Sequence, residues 1–277
     1  DRCRFVIAEI GPGRGTLMAD ALRAARLAPD FLAAATVVLV ETSPHLRAIQ
    51  QDRLAPHVPL FTSGVEELPD GPLIVIANEF FDALPIRQYV RTEHGFAERM
   101  VGLVDDALAF GLRPGARPPV AAEGLPIGAV IETSGPSVAV MTSLAARFAR
   151  LPGAMLAIDY GHDGGVGDTL QALRQHRYVS PLETPGEADI TAHVDFAALG
   201  AAAQRAGARA FPLMGQGDFL LRLGLLERAG ALGHGKDAAT RDAIRAAVER
   251  LAGPKAMGTL FKVLVAASPG LAPPPFD

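Results

Sequence analysis

Apolar positions recur along the chain in stretches that mark strands and helices. Residues 3–10 form a short β-branched run ending in a glycine turn, and the alanine- and leucine-rich stretch 16–28 reads as a helix closed by Pro29. "ATVVLVE" (35–41) is apolar throughout, as expected of a parallel strand covered on both faces. "SPHLRAIQQDRL" (43–54) has a serine N-cap, proline at the first helical position and then helical spacing. A weaker strand at 58–62 precedes a fourth at 72–77, in "PLIVIANEFF". This succession predicts the opening of a doubly wound α/β sheet.

The pattern then changes to alternation. Residues 86–114 alternate polar and apolar positions, with turn signals at His94-Gly95 and Asp105-Asp106, and predict an antiparallel meander. With the Pro/Ala/Gly-rich loop 115–128 they form an expected insertion over 84–131, mounted on a domain made of 1–83 and 132–268. Regular order resumes with a helix at 137–150 and an apolar strand at 153–161. Stretch 167–195 reads as polar and irregular. Helices are expected at 196–206, 219–231 and 239–251, strands at 208–213 and 258–268, and a fraying proline-rich tail at 269–277.

Composition narrows the classes. A chain of 277 residues, 49% hydrophobic and 20% charged, has material for one large core and argues against disorder. Its net charge of −4 lacks the basic field expected of a nucleic-acid partner. Cys3 is the single cysteine, which excludes internal disulfides and cysteine zinc clusters. No apolar stretch is long enough for membrane insertion. The chain starts almost directly on a strand, so an original N-terminal segment is expected to be missing.

The first turn, "VIAEIGPGRGTL", carries the chemistry. Gly11, Gly13 and Gly15 give G-x-G-x-G, and Thr16 stands where a dinucleotide fingerprint would have its third glycine. Glu9 ends the strand and would repel a pyrophosphate, whereas an ammonium or sulfonium is attracted. S-adenosylmethionine carries both cations, and its carboxylate can meet backbone amides at the helix start. Glu41, ending the second strand, stands where an acid accepts from both ribose hydroxyls. Val65 and Glu66 would flank the adenine, or belong to a plain loop.

A second set lies where the fourth and fifth apolar strands end. "NEFFDALP" brings Asn78, Glu79 and Asp82, and "DYGH" brings Asp159 and His162. Carboxylates three apart on a helical turn share a face and suit a guanidinium. Glu79 and Asp82 could equally be local capping groups; Asp159 and His162 are acid–base candidates or partners of the turn backbone. Glu187, Asp189, His193 and Asp195 lack metal-motif spacing and read as capping and substrate-loop residues, so no metal is expected. His45, His57, His94, His176 and His234 show no partners in the sequence and read as surface or satisfied residues.

Together, "EIGPGRGTLMADAL", "VETSPHLRAIQ", "NEFFDALPIRQY", "AIDYGH", "GDTLQALRQHRYVSPLETPGEADITAHVDF" and "GPKAMGTLFKVL" resemble the MidA family over nearly the whole chain. The resemblance implies a class I, Rossmann-like fold with an inserted meander and S-adenosyl-L-methionine as cofactor. Mitochondrial members are complex I assembly factors that dimethylate an arginine symmetrically on a respiratory-complex subunit. Glu9, Gly11, Gly13 and Gly15 match the family's donor loop, Glu41 its ribose acid, and Asn78 and Glu79 the head of its fourth-strand motif. Pro12, between Gly11 and Gly13, is a further cofactor-binding candidate. Family members also have a largely helical N-terminal segment that looks suited to cover the donor. The expectations are a protein arginine methyltransferase with a protein substrate, and a homodimer is an open expectation. Its place would be the cytoplasm if bacterial and the mitochondrial matrix if eukaryotic. The alternatives are a non-catalytic assembly or scaffolding protein and, less in keeping with Glu9 and Thr16, a nicotinamide-dependent oxidoreductase.

Overall fold

The structure, a computed structural model, describes residues 4–175 and 177–276. Cys3, at the head of the expected first strand, and His176, read as a surface histidine, lie outside them.

The first half alternates as its apolar runs predict: β1 (Phe5–Ile10), α1 (Thr16–Ala24), α2 (Pro29–Ala34), β2 (Ala35–Val40), α3 (Pro44–Arg53), β3 (Leu60–Thr62) and β4 (Leu73–Asn78). The Ser43 hydroxyl accepts from the Leu46 amide at 3.3 Å and so caps α3. Then come β5 (Arg87–Thr92), β6 (Gly95–Val104), β7 (Ala107–Ala116) and β8 (Val130–Thr133), followed by α4 (Gly135–Phe148) and β9 (Gly153–His162). The last third holds β10 (Gln171–Arg174), β11 (Arg177–Val179), β12 (Asp189–Thr191), β13 (Val194–Asp195), α5 (Phe196–Arg205), β14 (Arg209–Ala210) and β15 (Met214–Gly215). It ends with α6 (Gln216–Arg222), α7 (Leu225–Gly233), α8 (Ala238–Ala252), α9 (Met257–Leu260) and β16 (Phe261–Ala267).

The main sheet runs β14-β16-β9-β4-β1-β2-β3. Pairings from β3 through β9 are parallel, and β16 lies antiparallel to β9. Alternation along β1 divides the core. Val6, Ala8 and Ile10 pack with Met141, Leu144 and Phe148 of α4 and Phe196 and Leu199 of α5. Ile7 turns the other way, onto Met18 and Leu22 of α1 and Leu54. Glu9 shares that second face by the same period of two.

The meander is an antiparallel sheet in the order β7-β6-β5-β8. Asp105 and Asp106 form its far turn with φ of 50° and 61°, the left-handed pair that matches strand twist in a two-residue hairpin. At the near turn the two turn residues are Glu93 and His94, and Gly95 opens β6 rather than sharing the turn.

Several expected boundaries are corrected. The helix expected over 16–28 stops at Ala24 and passes into a 3₁₀ turn at Ala25–Leu27, and Pro29, expected to close it, instead opens α2, because a ring at the first helical position forfeits no hydrogen bond. Stretch 167–195 is not irregular: β11-β10-β12 form a small antiparallel sheet and β13 extends β9 in parallel. The helix expected at 219–231 is two, broken at Gly224 with φ 86°. The strand expected from 208 to 213 shrinks to β14. Gly258, expected in the last strand, begins no strand but sits in α9 under the Ala252 carbonyl, where a Cβ would come within 2.2 Å. The tail is seated too, since the Phe276 ring contacts Phe211 and Phe219.

Candidate active site

Parallel strands deliver their C-terminal residues to one edge, and both candidate clusters lie there. Gly11, Gly13 and Gly15 have φ of 64°, 52° and 71°, a left-handed run that a side chain would strain. Gly15 caps α1 without a side chain, leaving amides at the helix start open to an anionic group. Glu9 is buried beneath the turn. Burial pushes its carboxyl up to about 7, against a weaker opposing bond from the Met18 amide. Its Oε2 has no partner among the described residues, so a buried acceptor waits beside the loop.

Gln50 joins this turn to the second strand. It is fully buried, and its Nε2 donates to the Gly13 carbonyl at 2.7 Å and to Glu41 Oε2 at 3.1 Å. Glu41 Oε1 accepts from the Ser43 amide at 2.8 Å. The two candidate donor-binding acids are thus held relative to one another by an amide in the middle of α3. Sequence reading missed Gln50 because nothing in a helix pattern distinguishes an inward glutamine. Val65 is buried at the next strand end, while Glu66 is exposed, with a carboxylate oxygen 2.8 Å from where a Cβ on Gly64 would stand.

Beyond β4 the chain turns sharply. Glu79 has φ 49°, a left-handed conformation that is uncommon and strained for a residue with a side chain. Asn78 Nδ2 donates to Glu79 Oε1 at 3.3 Å. Protein atoms crowding the Glu79 carboxyl raise its pKa, and the charges of Asp82 and Asp189 add to the effect. Asp82 is buried, which raises its pKa, while Tyr160 donates its hydroxyl to Oδ2 and offsets part of the rise. Oδ1 of Asp82 has no partner among the described residues.

Asp159 does other work. It is wholly buried and accepts from the amides of Phe81 (3.1 Å), Asp82 (3.2 Å) and Tyr160 (3.0 Å). Burial first, then the charge of Asp82, pushes it up to about 8 despite those donors. It therefore clamps the 79–82 turn and has no face toward a substrate. His162 is also away from Glu79. It lines a cavity of about 30 Å³ with Glu132, Ser137 and His193, its Nδ1 without a partner among the described residues.

The remaining acidic set disperses. Glu187 pairs with Arg174 at 2.8 Å and Asp195 caps α5 through the Ala198 amide at 3.0 Å, while Asp189 stays near Glu79. Among the described residues no group of three or more could hold a metal ion. The two halves of the site meet at Phe80, whose ring lies 2.8 Å from where a Cβ on Gly11 would stand. The glycine turn and the acidic turn are neighbours.

A seven-strand path with an antiparallel strand beside β9, a left-handed glycine loop and an acid ending β2 define a class I S-adenosylmethionine-dependent methyltransferase fold. The chain belongs to the MidA family: residues 1–214 match a family described as S-adenosyl-L-methionine-dependent methyltransferase. It is 32% identical over 287 residues to "Protein arginine methyltransferase NDUFAF7, mitochondrial" of Danio rerio, covering 92% of this chain and 67% of that one. The Homo sapiens protein of the same name is 32% identical over 286 residues, covering 93% and 65%. The chain thus spans about two thirds of the length of these curated relatives. A Burkholderia thailandensis structure superposes with TM-score 0.84 at 31% identity, covering 96% of this chain and 74% of the other. Another from that organism, bound to S-adenosyl-homocysteine, gives TM-score 0.81 at 31% identity, covering 96% and 71%.

Proposed function

We propose that this chain methylates a protein arginine with S-adenosylmethionine as donor, and that the acceptor belongs to a respiratory-complex subunit. The observation that carries this reading is the contact of Gly11 with Phe80, which sets a cationic-ligand turn beside a carboxylate turn. Glu9, with an unpartnered buried oxygen, suits the donor's cationic end; the amides at the start of α1 suit its carboxylate; Glu41, steadied by Gln50 and the Ser43 amide, suits its ribose. The bound donor supplies an electrophilic methyl group on a sulfonium. Glu79, with Asp82 and Asp189 behind it, attracts and orients a guanidinium through charge and paired acceptors. As the new N–C bond formed, the donor's S–C bond would break, S-adenosylhomocysteine would leave as a neutral thioether, and one guanidinium N–H proton would go to Glu79, whose raised pKa suits an acceptor. Most of the rate comes from holding the nitrogen in line with the methyl.

The compartment follows the source, the mitochondrial matrix for a eukaryotic chain and the cytoplasm for a bacterial one. The segment 84–131 acts as an insertion on the donor-binding domain.

The test pairs binding with turnover. Isothermal titration should show S-adenosyl-homocysteine binding to the wild type and to Glu79→Gln alike. Methyl transfer to arginine, read by mass spectrometry of cell extracts lacking the gene and then supplied with enzyme, should vanish in Glu79→Gln. Unchanged turnover in that variant would remove the acceptor-site assignment, and absence of donor binding in the full protein would remove the whole reading.

A further inference from the structure

The outer half of the β6–β7 hairpin is an apolar arm largely open to solvent, with the Arg99 guanidinium over the Phe110 ring at 5.7 Å near its base. From Met100 to Val104 and from Ala107 to Leu112 the two strands carry no charged side chain. Leu103 is 71% and Val104 60% exposed, and Met100, Val101, Leu108, Phe110 and Leu112 are exposed as well. The register sorts them. Val101 faces Phe110 and Leu103 faces Leu108 on one side, while Gly102 faces Ala109 and Met100 faces Gly111 on the flat other side. β7 is also the outer strand of its sheet, so its free edge offers unpaired amides and carbonyls. A two-stranded ribbon with this much apolar side chain exposed is marginal in water. It needs a cover.

The charges at its two ends indicate which cover. The tip is Asp105-Asp106. At the base lies an open groove of about 540 Å³ lined by Arg91, His94 and Arg117, with Glu123 its one acid. When two β7 edges pair antiparallel about a two-fold axis, the tip of each arm falls beside the base of the other. Ten residues of β7 span roughly 33 Å on each copy, so arms of equal length overlap from end to end. The acidic tip of one copy then meets the basic groove of its partner, twice by symmetry. Pairing edge to edge turns two two-stranded ribbons into one four-stranded sheet, with the side chains of Leu108, Phe110 and Leu112 on the strands that meet at the seam. A lipid bilayer fits less well, because the two tip carboxylates would have to lead the arm into hydrocarbon.

We infer that the hairpin is a reciprocal dimerisation arm, and that its occupant is a second copy of this chain, joined β7 to β7 with each acidic tip in the other's basic groove. The arm lies apart from the donor turn, so this inference and the methyltransferase reading can fail separately. Sedimentation velocity of the whole chain across the micromolar range should show a dimer. Leu103→Lys with Phe110→Lys should weaken it at least tenfold while leaving S-adenosyl-homocysteine binding and far-UV circular dichroism unchanged. Asp105→Asn with Asp106→Asn keeps a left-handed turn that asparagine tolerates, and should weaken the dimer several-fold and flatten its salt dependence. A monomer at every concentration would overturn the inference, as would a dimer indifferent to the paired lysines. So would a monomer that floats with phosphatidylcholine–phosphatidylglycerol vesicles, which would make a membrane the occupant.

Discussion

Glu9 holds its proton more tightly than an ordinary glutamate because burial disfavours the charge, and with a pKa of about 7 it is close to half protonated at neutral pH. A cationic ligand beside it favours the carboxylate, so binding should expel a proton. Donor affinity should therefore rise with pH toward about 7 and flatten above it, with a slope of up to tenfold per pH unit on the acid side. Titration calorimetry in buffers of different ionisation enthalpy would read the released proton directly; a heat independent of buffer would sink the assignment. Gln50→Leu should leave the fold intact but cost about tenfold in S-adenosyl-homocysteine affinity, roughly 1.4 kcal/mol, because Glu41 and the Gly13 carbonyl lose their common donor. Glu9, the three glycines and Glu41 were legible in the sequence because their spacing follows from strand and turn geometry. Gln50 was not, since its role depends on which way α3 faces. Asp159 was legible as a polar strand end but not as a clamp, because its partners lie in a turn far off in the chain.

Elements whose signal is local were read well. β1, β2, β4 and β9 announce themselves as apolar runs, and α3 carries both its cap and its proline. β10, β11 and β12 do not, because short strands half open to water show little alternation and gain their identity from pairing. The break between α6 and α7 depends on Gly224 in a left-handed conformation at the start of α7. Gly224→Ala should lower stability by about 1 kcal/mol, measured by urea unfolding; no change would mean the break is set by packing instead. Tyr160 links β9 to the 79–82 turn through Asp82. Tyr160→Phe removes the side-chain donor to the buried Asp82 carboxyl and leaves it only weaker backbone donors, so its pKa should climb further. Turnover should then fall at fixed donor affinity, an outcome a purely structural role for Tyr160 would not give.

At the scale of the molecule, the meander and the β10–β13 segment are held together by a polar cluster that no single stretch of sequence reveals. Arg99 grips Asp168 through two bonds of 2.7 and 2.9 Å, Gln88 donates to Glu132 at 2.7 Å and to Asp168 at 3.0 Å, and the Thr169 and Leu170 amides reach Glu132. A double-mutant cycle on Arg99→Leu and Asp168→Asn should give a coupling of about 1 kcal/mol, reduced from a buried value because Asp168 is half exposed to solvent. Strictly additive losses would show the pair to be ornamental.

The position of β16 bears on how the chain comes together during synthesis. β9 is complete at His162, yet its antiparallel neighbour begins only at Phe261, so one flank of the central sheet stays uncovered while everything between is being made. Nascent chains halted before Phe261 should accordingly be captured by holdase chaperones and cut readily by protease, and should become resistant once Ala267 has cleared the exit tunnel.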